Sequence, residues 1–94
     1  MDDKHAAGAL SALAQSTRMK VFVMLVAARD IGMASSEIAD ALDVPRNLMS
    51  SHLAILSGAG LIASEKSGRS VRYFPMPDVM IKLSDHLRRL ASPD

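Results

Sequence analysis

The chain has 94 residues, 49% of them apolar and 22% charged, with a formal net charge of +1, three histidines, three aromatic residues and no cysteine. These figures suit one small domain with an aliphatic core in which methionine fills gaps, and a chain so short buries a limited share of its surface, so a partner subunit is expected to help. The lack of cysteine excludes disulfides, thiolate metal sites and thiol redox chemistry within the chain. No apolar run approaches the roughly 20 residues that span a bilayer, and the opening MDDKHAAGAL lacks the pattern of a signal peptide, so a cytoplasmic address with no membrane partner is expected.

In chain order, residues 6–14 place Ala6, Ala9, Leu10, Leu13 and Ala14 on one weakly amphipathic helix suited to close packing. Ser16 and Thr17 offer caps for a second helix over residues 18–28, in which Val21, Phe22, Leu25 and Val26 form a wide apolar stripe and Phe22 is the core anchor. Residues 29–34 break the pattern at Gly32. A short helix then follows with Ser35 as N-cap, Ile38 and Leu42 facing inward and Glu37, Asp40 and Asp43 facing water.

Asp43-Val44-Pro45 ends that helix, because proline disfavours helical geometry in the residue before it yet suits the first turn of a new helix. The next helix starts near Pro45, buries Met49, Leu53 and Leu56 at spacings of four and three, and stops around Gly58 and Gly60. Its other side carries Arg46, Asn47, Ser50, Ser51 and His52, a cation and short hydrogen-bonding groups without an acid, which is what the edges of bases in a major groove require. Residues 35–59 thus read as a helix-turn-helix.

From residue 61 the character changes. Residues 61–65 and 70–74 flank Lys66-Ser67-Gly68-Arg69, which predicts a two-stranded β-hairpin over 61–75 with Lys66, Arg69 and Arg72 at its tip and return strand. Those cations either solubilise a turn or meet phosphate beside the preceding helix; their position directly after it favours phosphate. Charge by segment agrees: residues 45–75 hold four Lys or Arg against one acid, whereas residues 1–44 hold four against six.

Pro77 and Asp78 open a last helix, residues 77–91, with Val79, Met80, Leu83, Leu87 and Leu90 on one side. Such a stripe needs a cover: the same helix or the first helix of a second copy, with Leu10 and Leu13 joining it in a two-fold interface, or else the chain's own core. Residues 91–94 are expected to fray.

Catalysis finds little footing. His5, His52 and His86 lie on different elements, and the sequence shows no nucleophile elbow, phosphate loop or paired carboxylates, so no enzyme and no cofactor is expected.

The order ALSALAQSTRMKVFVMLV, then SSEIADALDVPRNLMSSHLAILSGAGLI, then a hairpin ending in RYF resembles the ArsR/SmtB family of small winged-helix repressors. The most specific match is Ser50-Ser51-His52-Leu53, then Leu56 and Ala59-Gly60-Leu61-Ile62, similar to that family's S-x-H-L…L…AGL pattern. The resemblance covers most of the chain and implies a mainly α winged helix-turn-helix of about five helices and a two-stranded wing, spanning residues 1–94 as one domain. It implies a dimeric repressor on double-stranded DNA, with Ser50 on a phosphate or base edge and His52 near the backbone, although periodicity alone favours a helix-packing or simple surface histidine. Many relatives sense metals through cysteines or through Asp and His of the last helix. Here Ser35, Ser36 and Glu37 stand where thiolates would be, and Asp85 and His86 are adjacent, pointing about 100° apart on a helix. No metal is therefore carried over; a site using His86 with His5 or with a second His86 is left as an alternative, as is a protein-docking module, and the inducer is not legible.

Overall fold

A computed structural model describes residues 1–92. The elements run α1 (Asp3–Ala14), α2 (Ser16–Ala28), β1 (Met33–Ala34), α3 (Ser35–Leu42), α4 (Arg46–Gly58), β2 (Ile62–Ser67), β3 (Ser70–Pro75) and α5 (Pro77–Ala91). The five helices and the hairpin match expectation. The sheet does not: it has three strands in the order β1-β3-β2, because Met33 and Ala34 pair antiparallel with Tyr73 and Arg72. Two residues are too short to show alternation, so this strand left no periodic trace in the sequence.

Helix ends also differ from expectation in small ways. α1 starts at Asp3 because the Asp2 carboxylate caps it, accepting from the His5 amide at 2.8 Å and the His5 ring at 2.6 Å. These two bonds, the backbone one first, hold the Asp2 carboxyl below its ordinary pKa. α2 is capped by the Gln15 side chain, which accepts from the Arg18 amide at 2.8 Å, and not by Ser16 or Thr17. At Gln15 the chain turns by 95° from α1 into α2. α3 is capped from Ala34, one residue before Ser35, with the Glu37 carboxylate accepting from the Ala34 amide at 2.9 Å.

The core lies where α1, α2, α3, α4 and the base of the hairpin meet. Val21, Leu25, Ile38, Met49, Leu53, Leu56 and Leu61 are fully buried, and Phe22 is buried with them. Each such side chain contributes about 1.5–3 kcal/mol by leaving water. This core fixes α4 by its Met49-Leu53-Leu56 seam and so determines which side of α4 faces out. After α4, Gly60 takes a left-handed φ of +75° and the Leu61 amide returns to the Leu56 carbonyl at 3.1 Å, which turns the chain into β2. The hairpin closes through Gly68, φ +60°, and Arg69 between paired Ser67 and Ser70, and residues 64–71 are all exposed. The wing therefore projects from the body.

A second, smaller cluster joins α5 to α1 through Leu83, Ala6 and Ala9, with Val79 touching both clusters. Leu83 and Leu13 are buried within their own chain, which corrects their assignment to a subunit interface; α5 is partly covered by its own domain. His86 extends the contact, its Nε2–H donating to the Asp3 carboxylate at 3.0 Å. α1 and α5 thus run antiparallel, and Leu90, a turn beyond His86, lies past the start of α1 and is 64% exposed. No single helix among the described residues is long and apolar enough to cross a membrane.

Candidate nucleic-acid interface

α4 begins at Arg46 with Pro45 as its N-cap residue. Proline fixes its own backbone but has no side-chain acceptor, so the first amides of α4 receive no side-chain cap. The other helices differ. α1, α3 and α5 each carry an acid in the first turn, and α2 is capped by Gln15, whereas α4 has neither acid nor side-chain cap. Its positive end is left open, the condition under which a helix start attracts phosphate.

Around that end stand Arg46, Asn47, Ser50 and Ser51, all exposed. The Arg46 guanidinium lies 3.3 Å from the Asp40 carboxylate of α3, with both side chains more than two-thirds exposed. A pair so wet is worth about 0–1 kcal/mol and can exchange for a phosphate. The Ser50 hydroxyl donates to the Arg46 carbonyl at 3.1 Å, keeping its lone pairs free to accept. Leu48 also belongs to this surface, 51% exposed beside Asn47 and Ser51. The seam of Met49, Leu53 and Leu56 leaves Leu48 without a place in the sequence pattern; its spacing of one from Met49 is the signal that it faces elsewhere. An exposed leucine at the start of a recognition helix is suited to a thymine methyl group.

His52 takes a different place. It is half-buried, and its Nδ1 accepts at 3.4 Å from Arg18, whose Nε and Nη2 donate to the Ala12 and Ser11 carbonyls at 2.7 and 3.3 Å. Arg18 thereby caps the end of α1 and ties it to α4. His52 leaves the outward set and contacts Arg18, the packing one of the two places, packing or plain surface, that periodicity left open. Arg18 was missed because nothing local marks a contact across 34 residues.

On the wing, Lys66 and Arg69 are exposed and bear no ion pair among the described residues. Arg72 does not join them. Its Nε and Nη2 donate to the Ile31 and Gly32 carbonyls at 3.0 and 2.9 Å, and its Nη1 lies 3.4 Å from the Glu37 carboxylate. With its guanidinium committed to these three groups, Arg72 fastens β3 to the segment before α3, which corrects its placement as a phosphate grip. Among the described residues no three His, Cys, Asp or Glu side chains gather where they could share a metal ion; His5 pairs with the Asp2 carboxylate and His86 with the Asp3 carboxylate.

A polar, acid-poor helix face presented by a helix-turn-helix, followed at once by a projecting hairpin, defines a winged helix-turn-helix. Residues 13–65 match a family model described as a helix-turn-helix domain. The chain is 40% identical over 77 residues to the HTH-type transcriptional repressor SmtB of Mycobacterium tuberculosis, an alignment covering 82% of this chain and 49% of that protein. It thus spans about half the length of the curated relatives it matches. An ArsR-like transcriptional regulator from Rhodococcus sp. RHA1 superposes with a TM-score of 0.85 at 28% identity, covering 96% of this chain and 82% of the other. The homodimeric winged helix-turn-helix DNA-binding domain Mb0332 of Mycobacterium bovis, 21% identical, shares the fold with a TM-score of 0.75 over 98% of this chain and 88% of its own. The chain belongs to the ArsR/SmtB family of winged-helix transcriptional regulators, a family of regulators and not of enzymes.

Proposed function

We propose that the chain is a homodimeric repressor that sets paired α4 helices into successive major grooves of a pseudo-palindromic operator, half-site centres about 34 Å apart. The observation that carries this reading is the outward side of α4: an uncapped, acid-free helix start ringed by Arg46, Asn47, Leu48, Ser50 and Ser51. In this reading Asn47, Ser50, Ser51 and Leu48 read base edges, Arg46 holds a phosphate or base, and Lys66 and Arg69 grip the backbone at the wing. The dimer forms through the parts of α1 and α5 that their own core leaves bare, Leu10, Met80, Leu87 and Leu90. The naming of one relative as a repressor and another as homodimeric supports both parts.

The test is a titration of the protein against its own promoter region at several salt concentrations. Arg69→Ala is expected to weaken binding to all sequences alike and to lower the salt slope by about one, whereas Asn47→Ala costs about 1–3 kcal/mol on the operator alone and relaxes specificity. If Arg46→Ala and Arg69→Ala both leave affinity and salt slope unchanged, the interface is misplaced. The protein-docking alternative uses the last helix, α5, as its docking face; exposed Leu48 and Ile55, seven residues apart on one flank of α4, are the apolar feature that favours it, and it predicts no salt-dependent DNA binding at all.

A further inference from the structure

A cleft of about 670 Å³ opens between the first half of α1, the exit of α4 and the start of α5. Met1, Lys4, His5 and Gly8 line one wall, Gly58, Ala59 and Gly60 the floor, and Val79 and Lys82 the other wall. Its volume is that of a site for a small organic molecule.

Three features give it chemistry. The first is unpaired positive charge. Lys4 and Lys82 form no ion pair among the described residues; of the acids near them Asp2 is engaged by the amide and ring of His5, Asp3 by His86 and Asp85 by Arg88, which leaves Asp78, one turn before Lys82 on α5, as the single neighbouring carboxylate without a partner. Nor are the lysines needed to close α4, whose last carbonyls accept from the Ala59, Gly60 and Leu61 amides. The second is apolar lining, from Met1, Val79, Ala59 and three glycines. The third is the state of two of those glycines. Gly8 sits inside α1 and Gly58 ends α4, neither has a left-handed φ, and a Cβ at either would meet nothing within 4 Å. Glycine inside a helix is destabilising relative to alanine, and no packing demand offsets that at Gly8. What the missing side chains preserve is the open cleft.

The cleft is separate from the proposed subunit face. At 100° per residue, Gly8 and Leu10 point about 160° apart on α1, and Lys82 and Met80 likewise on α5; Leu90 points the same way as Val79 but lies about three turns further along α5, beyond the cleft. A second copy seated on Leu10 and Met80 therefore leaves the cleft accessible.

We propose that this cleft binds a small amphipathic carboxylate, its apolar body against Val79, Gly8 and Gly58 and its anionic end between Lys4 and Lys82. An occupant would touch the exit of α4, the helix on which the DNA reading rests.

The experiment uses the full chain, isotope-labelled for amide NMR and titrated without DNA, so that its outcome is independent of the DNA reading. The probe is 1-naphthoate, with 1-naphthalenemethanol as its uncharged counterpart. Saturable shifts at Gly8, Gly58, Gly60 and Lys82 are expected with naphthoate, and roughly tenfold weaker binding of the alcohol. Lys82→Met and Lys4→Met should bring naphthoate toward the alcohol's affinity. Gly8→Leu, which fills the cleft with a better helix former, should abolish binding of both while the thermal midpoint holds or rises. Shifts centred elsewhere, no saturation at millimolar probe, or equal affinity for acid and alcohol would overturn the proposal.

Discussion

Gly32 makes the sharpest demand on residue identity in this chain. Its φ is +67°, and a Cβ there would stand 2.7 Å from Phe74 Cε1 and 2.8 Å from the Tyr73 carbonyl oxygen, so an alanine meets both backbone strain and a clash with backbone that cannot yield. Gly68 offers the contrast, with φ +60° and open space around its Cβ position. Gly32→Ala is expected to lower unfolding free energy by about 1–3 kcal/mol and Gly68→Ala by about 1–2 kcal/mol or less, read from urea melts. An equal and small effect at both sites would mean that the approach of β1 to β3 is not as tight as the geometry makes it. Leu48 makes a weaker demand, because 51% of it is exposed and that part is open to what α4 meets.

Among the elements, the sheet shows how much local pattern can and cannot convey. α1 and α4 were legible because they bury side chains at spacings of three and four, as Met49, Leu53 and Leu56 do, and the outward set of Arg46, Asn47, Ser50 and Ser51 followed from the same period; α5 shows the same apolar period although it buries Leu83 alone. β1 was not, and neither were the roles of Arg72 and Arg18, since each depends on groups brought together across 34 to 41 residues. A basic residue on a hairpin reads as a surface cation whether it faces phosphate or carbonyl oxygen; only the fold separates Arg69 from Arg72. The leucines of α1 and α5 failed for a related reason, because one stripe serves two covers and spacing does not say that Leu83 goes to the chain's own Ala6 and Ala9 while Leu87 stays bare. The difference between the two arginines is measurable. Arg72→Met should destabilise the fold by about 1–3 kcal/mol, as the Ile31 and Gly32 carbonyls lose their partners, while leaving the salt slope of DNA binding intact. Arg69→Ala should do the reverse, and a matched response in stability and slope at both positions would erase the distinction drawn between them.

At the scale of the whole molecule, the question is what the bare part of the α5 stripe is for. Leu10, Met80, Leu87 and Leu90 remain between 36% and 64% exposed in a 94-residue chain with a small core, a combination expected when a second copy completes the hydrophobic surface. The proposed α4 geometry needs that second copy as well, because one recognition helix meets too few base pairs for a specific operator and a fixed separation of two doubles the readout. Folding and dimerisation can be separated by substitution, since Leu83 is buried within the chain and Leu87 is not. Leu83→Ala should cost about 2–5 kcal/mol of stability by opening a cavity against α1. Leu87→Glu should leave the folded domain intact by circular dichroism yet shift sedimentation equilibrium toward monomer, and operator affinity should fall while contact with an isolated half-site persists. A Leu87→Glu chain that still sediments as a dimer would place the subunit contact on some other surface, and the spacing of the two α4 helices would then have to be derived from that surface instead.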